Sequence, residues 1–187
     1  TRCQKIYFEK RKMLSDFVIG ECIEGKGRFL DQIINGIWAI CEESSWCIPA
    51  HIREKRGKGL PDITIPEVDL FAAETSSLLA LTGYLLKKQL DEISPYIYER
   101  ICYEIKNRIL KPLLERDDFM WMGFLYDKGI NNWNPWINSN WMISNLLIEK
   151  NPQERIKTIL KSMKSIDKYL QSVPRDGGCD EGPGYWN

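Results

Sequence analysis

The sequence predicts an all-α fold, and three observations support it. Apolar residues recur at helical spacing in six segments, and Pro and Gly residues separate those segments. No stretch of useful length alternates apolar and polar residues as a half-buried strand would; the nearest, Ile63–Ile65, is too short. A chain of 187 residues is long enough for one domain with a real core. We therefore expect one domain over residues 1–187, built of antiparallel helical hairpins.

The first part of the chain contains three of the predicted helices. The first covers roughly Arg2–Ile23, and the second covers roughly Arg28–Glu43. A long irregular stretch, Ser44–Pro66, follows and is punctuated by prolines and glycines. The third helix covers roughly Asp69–Lys88 and is apolar on most faces, so it should be largely buried.

The remaining helices are predicted from caps as well as from periodicity. The fourth begins at Ser94-Pro95, with the serine as N-cap and the proline in the first helical position. Pro112 lies near its end and should kink it. The fifth covers roughly Ser139–Lys150, with Asn138 or Ser139 as its N-cap, and the sixth runs from Pro152 to about Gln171.

Composition limits the classes of function. Lys+Arg and Asp+Glu both number 26, and this zero net charge argues against a nucleic-acid binder held by counterion release. No run of 18 apolar residues is present, which argues against a transmembrane helix. With one histidine and no closely spaced cysteine pair, we predict neither a metal site nor a cofactor.

The six cysteines do not by themselves define a redox compartment. Cys22, Cys41 and Cys102 lie within helical patterns, where they are expected to be small buried residues. A disulfide between Cys41 and Cys47 is compatible with their spacing but is not required by it.

Two stretches have unusual composition. Residues 131–141 contain five asparagines and three tryptophans, and residues 176–186 combine Gly, Asp, Glu, Tyr and Trp. Amides donate hydrogen bonds to sugar hydroxyls and carboxylates, and indole faces stack on sugar rings. These residues predict a site for a polar, ring-shaped ligand such as a saccharide. Alternatively, the amides cap a helix and the indoles pack in the core.

Four short segments, in order along the chain, resemble motifs of polysaccharide lyases of the heparinase II/III and alginate-lyase group. Trp46-Cys47-Ile48-Pro49-Ala50-His51 resembles a Trp-x-x-Pro-Ala-His segment, and Asp69–Thr75 resembles a second family segment. Asn131-Asn132-Trp133-Asn134 resembles the active-site loop that precedes a helix. The stretch from Asp176 to Tyr185 resembles an Asp-Gly…Glu-Gly-Pro-x-Tyr motif.

This resemblance implies an (α/α) toroid domain that binds an acidic polysaccharide or oligosaccharide. In known members a β-sandwich domain follows the toroid. The present chain ends at Asn187, so we expect an incomplete toroid, truncated at its C-terminal end, without that sandwich and inactive alone. Exposed apolar helix faces would then allow self-association. For the longer parent protein the resemblance implies a periplasmic or secreted location.

The activity implied by the resemblance is β-elimination at a uronic acid. Asn132 is the position expected to neutralise the substrate carboxylate, and Tyr185 is expected to carry the proton. His51, the single histidine, is the third candidate catalytic residue. Further residues are expected to bind substrate: Trp46, Trp133, Asn134, Asn138 and Glu181. Heparan, alginate and other uronates are all compatible substrates.

Two other functions remain open from the sequence. A toroid glycoside hydrolase acting on unsaturated uronides would use a pair of carboxyl groups, for which Asp180 and Glu181 are candidates. A non-catalytic helical carbohydrate-binding module would keep the aromatic residues and need no convergence of Asn132 with Tyr185. For a catalytic site, we expect Trp46–His51, Asn131–Asn138 and Asp176–Tyr185 to lie at one end of the helical array.

Overall fold

Every regular element of the protein is a helix in the part of the chain that the structure describes. The structure is a computed structural model that describes residues 2–52, 60–125 and 130–178. Within these ranges there is no β-strand, which confirms the prediction of an all-α fold.

The helices follow the predicted order. They are α1 (Arg2–Glu24), α2 (Leu30–Cys41), α3 (Leu70–Ile93), α4 (Pro95–Ile105), α5 (Lys111–Glu115), α6 (Trp133–Ile148) and α7 (Pro152–Ser172). One π-helical turn, Lys106–Leu110, joins α4 to α5. Two short 3-10 turns are formed by Pro49–His51 and Met120–Met122. None of the helices within these bounds is long and apolar enough to cross a bilayer.

The helices pack in two rows, with α3 at the centre of one of them. Helix α3 packs against α1 on one side and α6 on the other, and it also contacts α4. Helix α2 packs against α1 and α4, while α7 packs against α6 and α5. The first row is therefore α1, α3 and α6, and each of these helices packs against the helix that follows it in sequence: α1 against α2, α3 against α4, and α6 against α7. Between the rows lies an aliphatic core that includes Ile33, Ile37, Leu79, Leu86, Leu90, Ile101 and Ile105.

Side-chain contacts show that α6 and α7 are antiparallel. Asn138, near the start of α6, bonds to Ser165 in the second half of α7. Asn145, near the end of α6, lines a cavity together with Thr158 in the first half of α7. Residue numbers thus rise along one helix as they fall along the other, as a helical hairpin requires.

Helix α6 begins six residues earlier than the sequence analysis predicts. Its first residue is Trp133, whose backbone N–H donates to the side-chain Oδ1 of Asn131 (3.1 Å). Pro135 stands within the first turn, where a missing N–H leaves no helical bond unmade. The prediction that Asn138 or Ser139 is the N-cap is therefore wrong, because both lie inside the helix.

The proline near the end of the fourth predicted helix is accommodated by the π turn. Pro112 lacks an N–H and would crowd the carbonyl of Arg108 in a regular α-helix. The wider turn over Lys106–Leu110 immediately precedes it. From this turn the Arg108 guanidinium donates to the carbonyl of Cys41 (3.0 Å) and so satisfies an acceptor at the end of α2.

The cysteines differ in part from the predictions. Cys41 and Cys47 are buried free thiols, so the possible disulfide between them is not formed. Burial raises the pKa of the Cys41 thiol to about 12, because the apolar surroundings disfavour the thiolate. Cys102 is half-buried, whereas Cys22 is exposed, so the expectation that Cys22 is buried is wrong.

Helix α7 buries its small polar residues and exposes much of its apolar stripe. Thr158, Ser162 and Ser165 form the buried face. The side chains on the other face are each more than half exposed: Ile156, Leu160, Met163 and Leu170. The expectation that apolar helix faces are exposed is thus confirmed for α7.

Candidate functional site

A cavity of about 260 Å³ lies where α3 and α6 begin and where the two 3-10 turns meet. Its walls combine aromatic with polar side chains, including Phe119, Trp121, Trp133, His51, Asp69 and Asn131. Two of the predicted segments, one ending at His51 and one beginning at Asn131, therefore share a single cavity. The rings of His51 and Trp133 are in contact, with centroids 4.6 Å apart, so these two segments lie together as predicted. Residues 179–185 of the third predicted segment lie outside the described residues.

The central polar contact in the cavity joins His51 to Asp69. His51 Nδ1 lies 2.7 Å from Asp69 Oδ2. Asp69 is buried, and its carboxylate also accepts hydrogen bonds from the backbone N–H of Ala72 (2.7 Å) and of Ile48 (3.2 Å). Because a carboxylate only accepts, it selects the neutral imidazole tautomer with the proton on Nδ1. The lone pair of the neutral ring is then on Nε2.

Two aromatic rings fix the plane of the imidazole. The Phe71 ring stacks nearly parallel to it, with an interplanar angle of 8° and centroids 5.8 Å apart. The Trp133 ring is tilted by 50° against it. Together with Asp69, these contacts hold a half-exposed histidine in one orientation. Such a fixed base is an arrangement that catalysis uses.

The turn that carries His51 is anchored by Trp46. The Trp46 indole is buried, and its Nε1–H donates to the carbonyl of Ile40 (3.0 Å). Its own carbonyl accepts from the Tyr7 hydroxyl (2.8 Å). Burial raises the pKa of Tyr7, and this keeps the hydroxyl protonated as a donor. The prediction that Trp46 stacks on substrate is not supported, because its side chain is part of the core.

Asn134 and Asn138 are placed differently from the prediction. Both are wholly buried. Asn134 Nδ2 donates to the carbonyl of Trp121 (2.7 Å) and to the carbonyl of Ser165 (3.0 Å). Asn138 Nδ2 donates to the carbonyl of Asn134 (2.8 Å) and to Ser165 Oγ (3.0 Å). These amides connect α6 with α7 and with the cavity wall at Trp121, and their burial argues against direct contact with a substrate.

Trp133 and Asn132 remain compatible with the predicted roles. Trp133 is half-buried and forms part of the cavity wall. Asn132 is half-buried and stands at the N-cap position of α6, yet its side chain makes no capping bond. Its neighbours on both sides, Asn131 and Trp133, line the cavity. Tyr185 and Glu181 lie outside the described residues.

The residue pattern does not reveal the partner of His51 or much of the cavity wall. It identifies Asp69 only as the residue that opens a helix and as part of a family-like segment. Asp69 Oδ1 accepts the buried N-cap hydrogen bond from the N–H of Ala72, and Oδ2 remains available for tertiary contacts. Residues 119–124 contain three aromatic residues close in sequence to the aromatic residues of 131–141. This proximity could have indicated that Phe119 and Trp121 belong to the same site. Among the residues that the structure describes, no group of three or more His, Cys, Asp or Glu side chains is placed to hold a metal ion.

Comparison of the chain with models of known families and with curated proteins finds no match.

Proposed function

We propose that this chain is an (α/α) toroid domain of a polysaccharide lyase that cleaves a uronate-containing polymer by β-elimination. The observation that carries the proposal is the fixed His51–Asp69 pair in contact with Trp133. The two rows of helices, each formed from alternate elements of the chain, support a toroid built of hairpins.

The cavity suits one part of a saccharide chain. Its volume of about 260 Å³ is a little below the roughly 300–1,000 Å³ of typical small-molecule pockets. Trp133, which is half-buried, provides an aromatic face for a sugar ring, and Asn131 provides an amide at the rim. A cavity of this size fits one or two sugar units of a polymer whose remainder lies outside.

The proposed reaction begins with removal of the C5 proton of a uronate. His51 Nε2 accepts this proton, and the electron pair of the C–H bond moves towards the carboxylate to give an enolate-like intermediate. The Asn132 amide donates to that carboxylate and stabilises its added charge. The electron pair then forms the C4–C5 double bond as the C4–O bond breaks. Tyr185, assigned by its motif, donates a proton to the leaving oxygen.

The hydrolase alternative fits the cavity less well. It needs one carboxylic acid that protonates the glycosidic oxygen and a second carboxylate. Glu67 and Asp69 both border the cavity. Asp69, however, is buried and already accepts hydrogen bonds from His51, Ala72 and Ile48, so it is poorly placed to protonate a sugar oxygen.

The three functions are distinguished by the products. Because the chain alone is expected to be inactive, the longer parent protein is incubated with heparan sulfate, alginate and other uronate polymers while ultraviolet absorbance of a new C4–C5 double bond is followed. Rising absorbance supports the lyase. New reducing ends without that absorbance identify a hydrolase, and binding without cleavage identifies a non-catalytic module. Either of the last two outcomes overturns the proposal.

Substitutions in the same parent protein then test the assigned roles. Asn132→Ala removes the proposed donor to the developing negative charge, a change that typically lowers kcat by about 10²–10³-fold. Tyr185→Phe and His51→Ala are expected to lower turnover at least as much, and the combined effects should be far less than additive. Thermal stability is measured for each variant. Near-normal turnover in a folded Asn132→Ala protein would refute the role given to Asn132.

A further inference from the structure

A row of aromatic rings continues from the cavity across the starts of three neighbouring helices. It begins with Trp133 at the start of α6 and passes through His51 to Phe71 at the start of α3. It ends with Phe8 in the first half of α1, whose ring centroid is 4.8 Å from that of Phe71. Because α3 packs against α6 on one side and α1 on the other, Trp133 and Phe8 lie on opposite sides of the α3 start.

The end of this row on α1 is open and flanked by positive charge. Phe8 is 41% exposed, although it is part of a chain of ring contacts. Lys5 and Lys12 stand three residues before and four residues after Phe8, so they share its face of the helix. Both side chains are about three-quarters exposed. Their surface ion pairs with Glu9 and Asp16 are of the weak, solvent-screened kind, which leaves them able to meet other anions.

We propose that saccharide units bind along this row on both sides of the reacting uronate, so that the polymer crosses His51 and is cut internally. This inference rests on the proposed function. Sugar rings stack on the faces of Trp133 at one side and of Phe8 at the other. Lys5 and Lys12 attract the uronate carboxylates of the units that pass over α1. A site closed beyond His51 would instead remove units from a chain end.

The experiment measures binding of length-defined, saturated uronate oligosaccharides by calorimetry. In the unaltered protein, affinity is expected to rise with oligosaccharide length. Phe8→Ala should weaken binding of the longer oligosaccharides by about two- to tenfold, as expected for loss of one ring contact, and leave the shortest unaffected. Trp133→Ala should weaken binding at every length.

Two further variants control for indirect effects. Ile19→Ala removes an apolar side chain that is 55% exposed on the same face of α1 but about 16 Å further along the helix. It should not alter the length dependence. Phe8→Leu keeps apolar packing against Phe71 and removes the ring face, so it should behave as Phe8→Ala does.

The outcomes separate this inference from the function on which it rests. If affinity depends on oligosaccharide length in Phe8→Ala and Phe8→Leu as it does in the unaltered protein, the aromatic row is not a binding surface. In that case the proposed lyase function is untouched. Failure of every uronate oligosaccharide to bind overturns both.

Discussion

At the scale of single residues, Asp69 performs two tasks with one carboxylate. Oδ1 caps α3 through the N–H of Ala72, and Oδ2 bonds to His51 and to the N–H of Ile48. The cap stabilises a helix, while the bond to His51 decides which ring nitrogen carries the proton. The two tasks use different oxygens, so they can be separated by substitution.

Asp69→Asn is predicted to move the His51 proton without removing the cap. The asparagine Oδ1 can still accept from Ala72, but its amide group now donates towards His51 Nδ1 and no longer accepts from the N–H of Ile48. The neutral imidazole should therefore carry its proton on Nε2, and the proposed base is lost. The ¹⁵N chemical shifts of the ring report the tautomer unambiguously, because His51 is the only histidine.

Turnover should fall by at least about 10²-fold in the same variant if His51 is a general base. Asp91→Asn, which alters a partly exposed carboxylate near the end of α3, is the control for loss of one negative charge. A ring that keeps its proton on Nδ1 in Asp69→Asn would contradict the assigned hydrogen bond.

The asparagines of residues 131–141 should differ sharply in their effect on stability. Asn134→Ala leaves the buried carbonyls of Trp121 and Ser165 without this donor. Each lost partner costs about 1–3 kcal/mol, so the total loss should exceed about 2 kcal/mol. Asn132→Ala should change stability by less than about 0.5 kcal/mol, because its side chain makes no capping bond. Urea denaturation measures both, and equal losses would contradict this distinction.

This contrast explains what sequence reasoning could and could not say about the site. Composition identifies residues 131–141 as unusual, and the motif places His51 beside them. Which amide faces the cavity depends on the start of α6 and on the partner helix α7. Neither is encoded in the spacing of the asparagines alone.

At the scale of elements, the start of α6 is the largest difference from the predicted helices. Sequence reasoning treated Pro135 and the surrounding asparagines as a loop, since both residue types favour turns. Tertiary contacts instead stabilise this segment as the first turns of α6. Asn134 and Asn138 find buried acceptors on α7 and at Trp121, and these bonds hold their backbone in a helix. The other long helices have strong periodicity, and their predicted starts agree within about two residues, although α3 continues to Ile93 instead of ending at Lys88.

The turn after Met120–Met122 should tolerate no side chain at Gly123. Its φ of +74° is a conformation that favours glycine, and an added Cβ would lie 2.6 Å from Ile130 Cδ1. Gly25 has a similar φ of +62° but nothing within 4 Å of such a Cβ. Gly25→Ala should cost about 1–2 kcal/mol from backbone strain.

Gly123→Ala should cost about 1–3 kcal/mol more than Gly25→Ala, because overpacking adds to strain. Chemical denaturation of the two variants measures the difference. Similar losses would show that the contact with Ile130 relaxes freely. The stronger effect is also expected to disturb the neighbouring Trp121 wall of the cavity.

At the scale of the whole molecule, periodicity predicts the helical class but not which faces are buried. On α7 the sequence marks an apolar stripe, yet the face packed on α6 consists of Thr158, Ser162 and Ser165. Hydrogen bonds from the amides of Asn134 and Asn138 to the Ser165 hydroxyl oxygen replace apolar contacts at this junction. The proposed arrangement of the hairpins as a toroid would likewise depend on contacts between distant segments.

The exposed stripe of α7 predicts concentration-dependent self-association. Apolar side chains in a contiguous row on a surface helix favour contact with a second copy. Leu160→Glu places a charge in the middle of the row and should shift the molecule towards monomer in sedimentation experiments. Ile63→Glu adds the same charge at an exposed apolar residue away from α7 and is the control. A strictly monomeric protein at high concentration would contradict the prediction.

The bonds of Asp69 also have a consequence for behaviour on heating. The segment that ends at His51 and the first turn of α3 meet at one carboxylate, so opening that turn releases the histidine at the same time. Local melting of a single helical turn would then abolish the orientation of the proposed base while the aliphatic core is still intact. Inactivation is accordingly expected some degrees below global unfolding, and it should reverse on cooling.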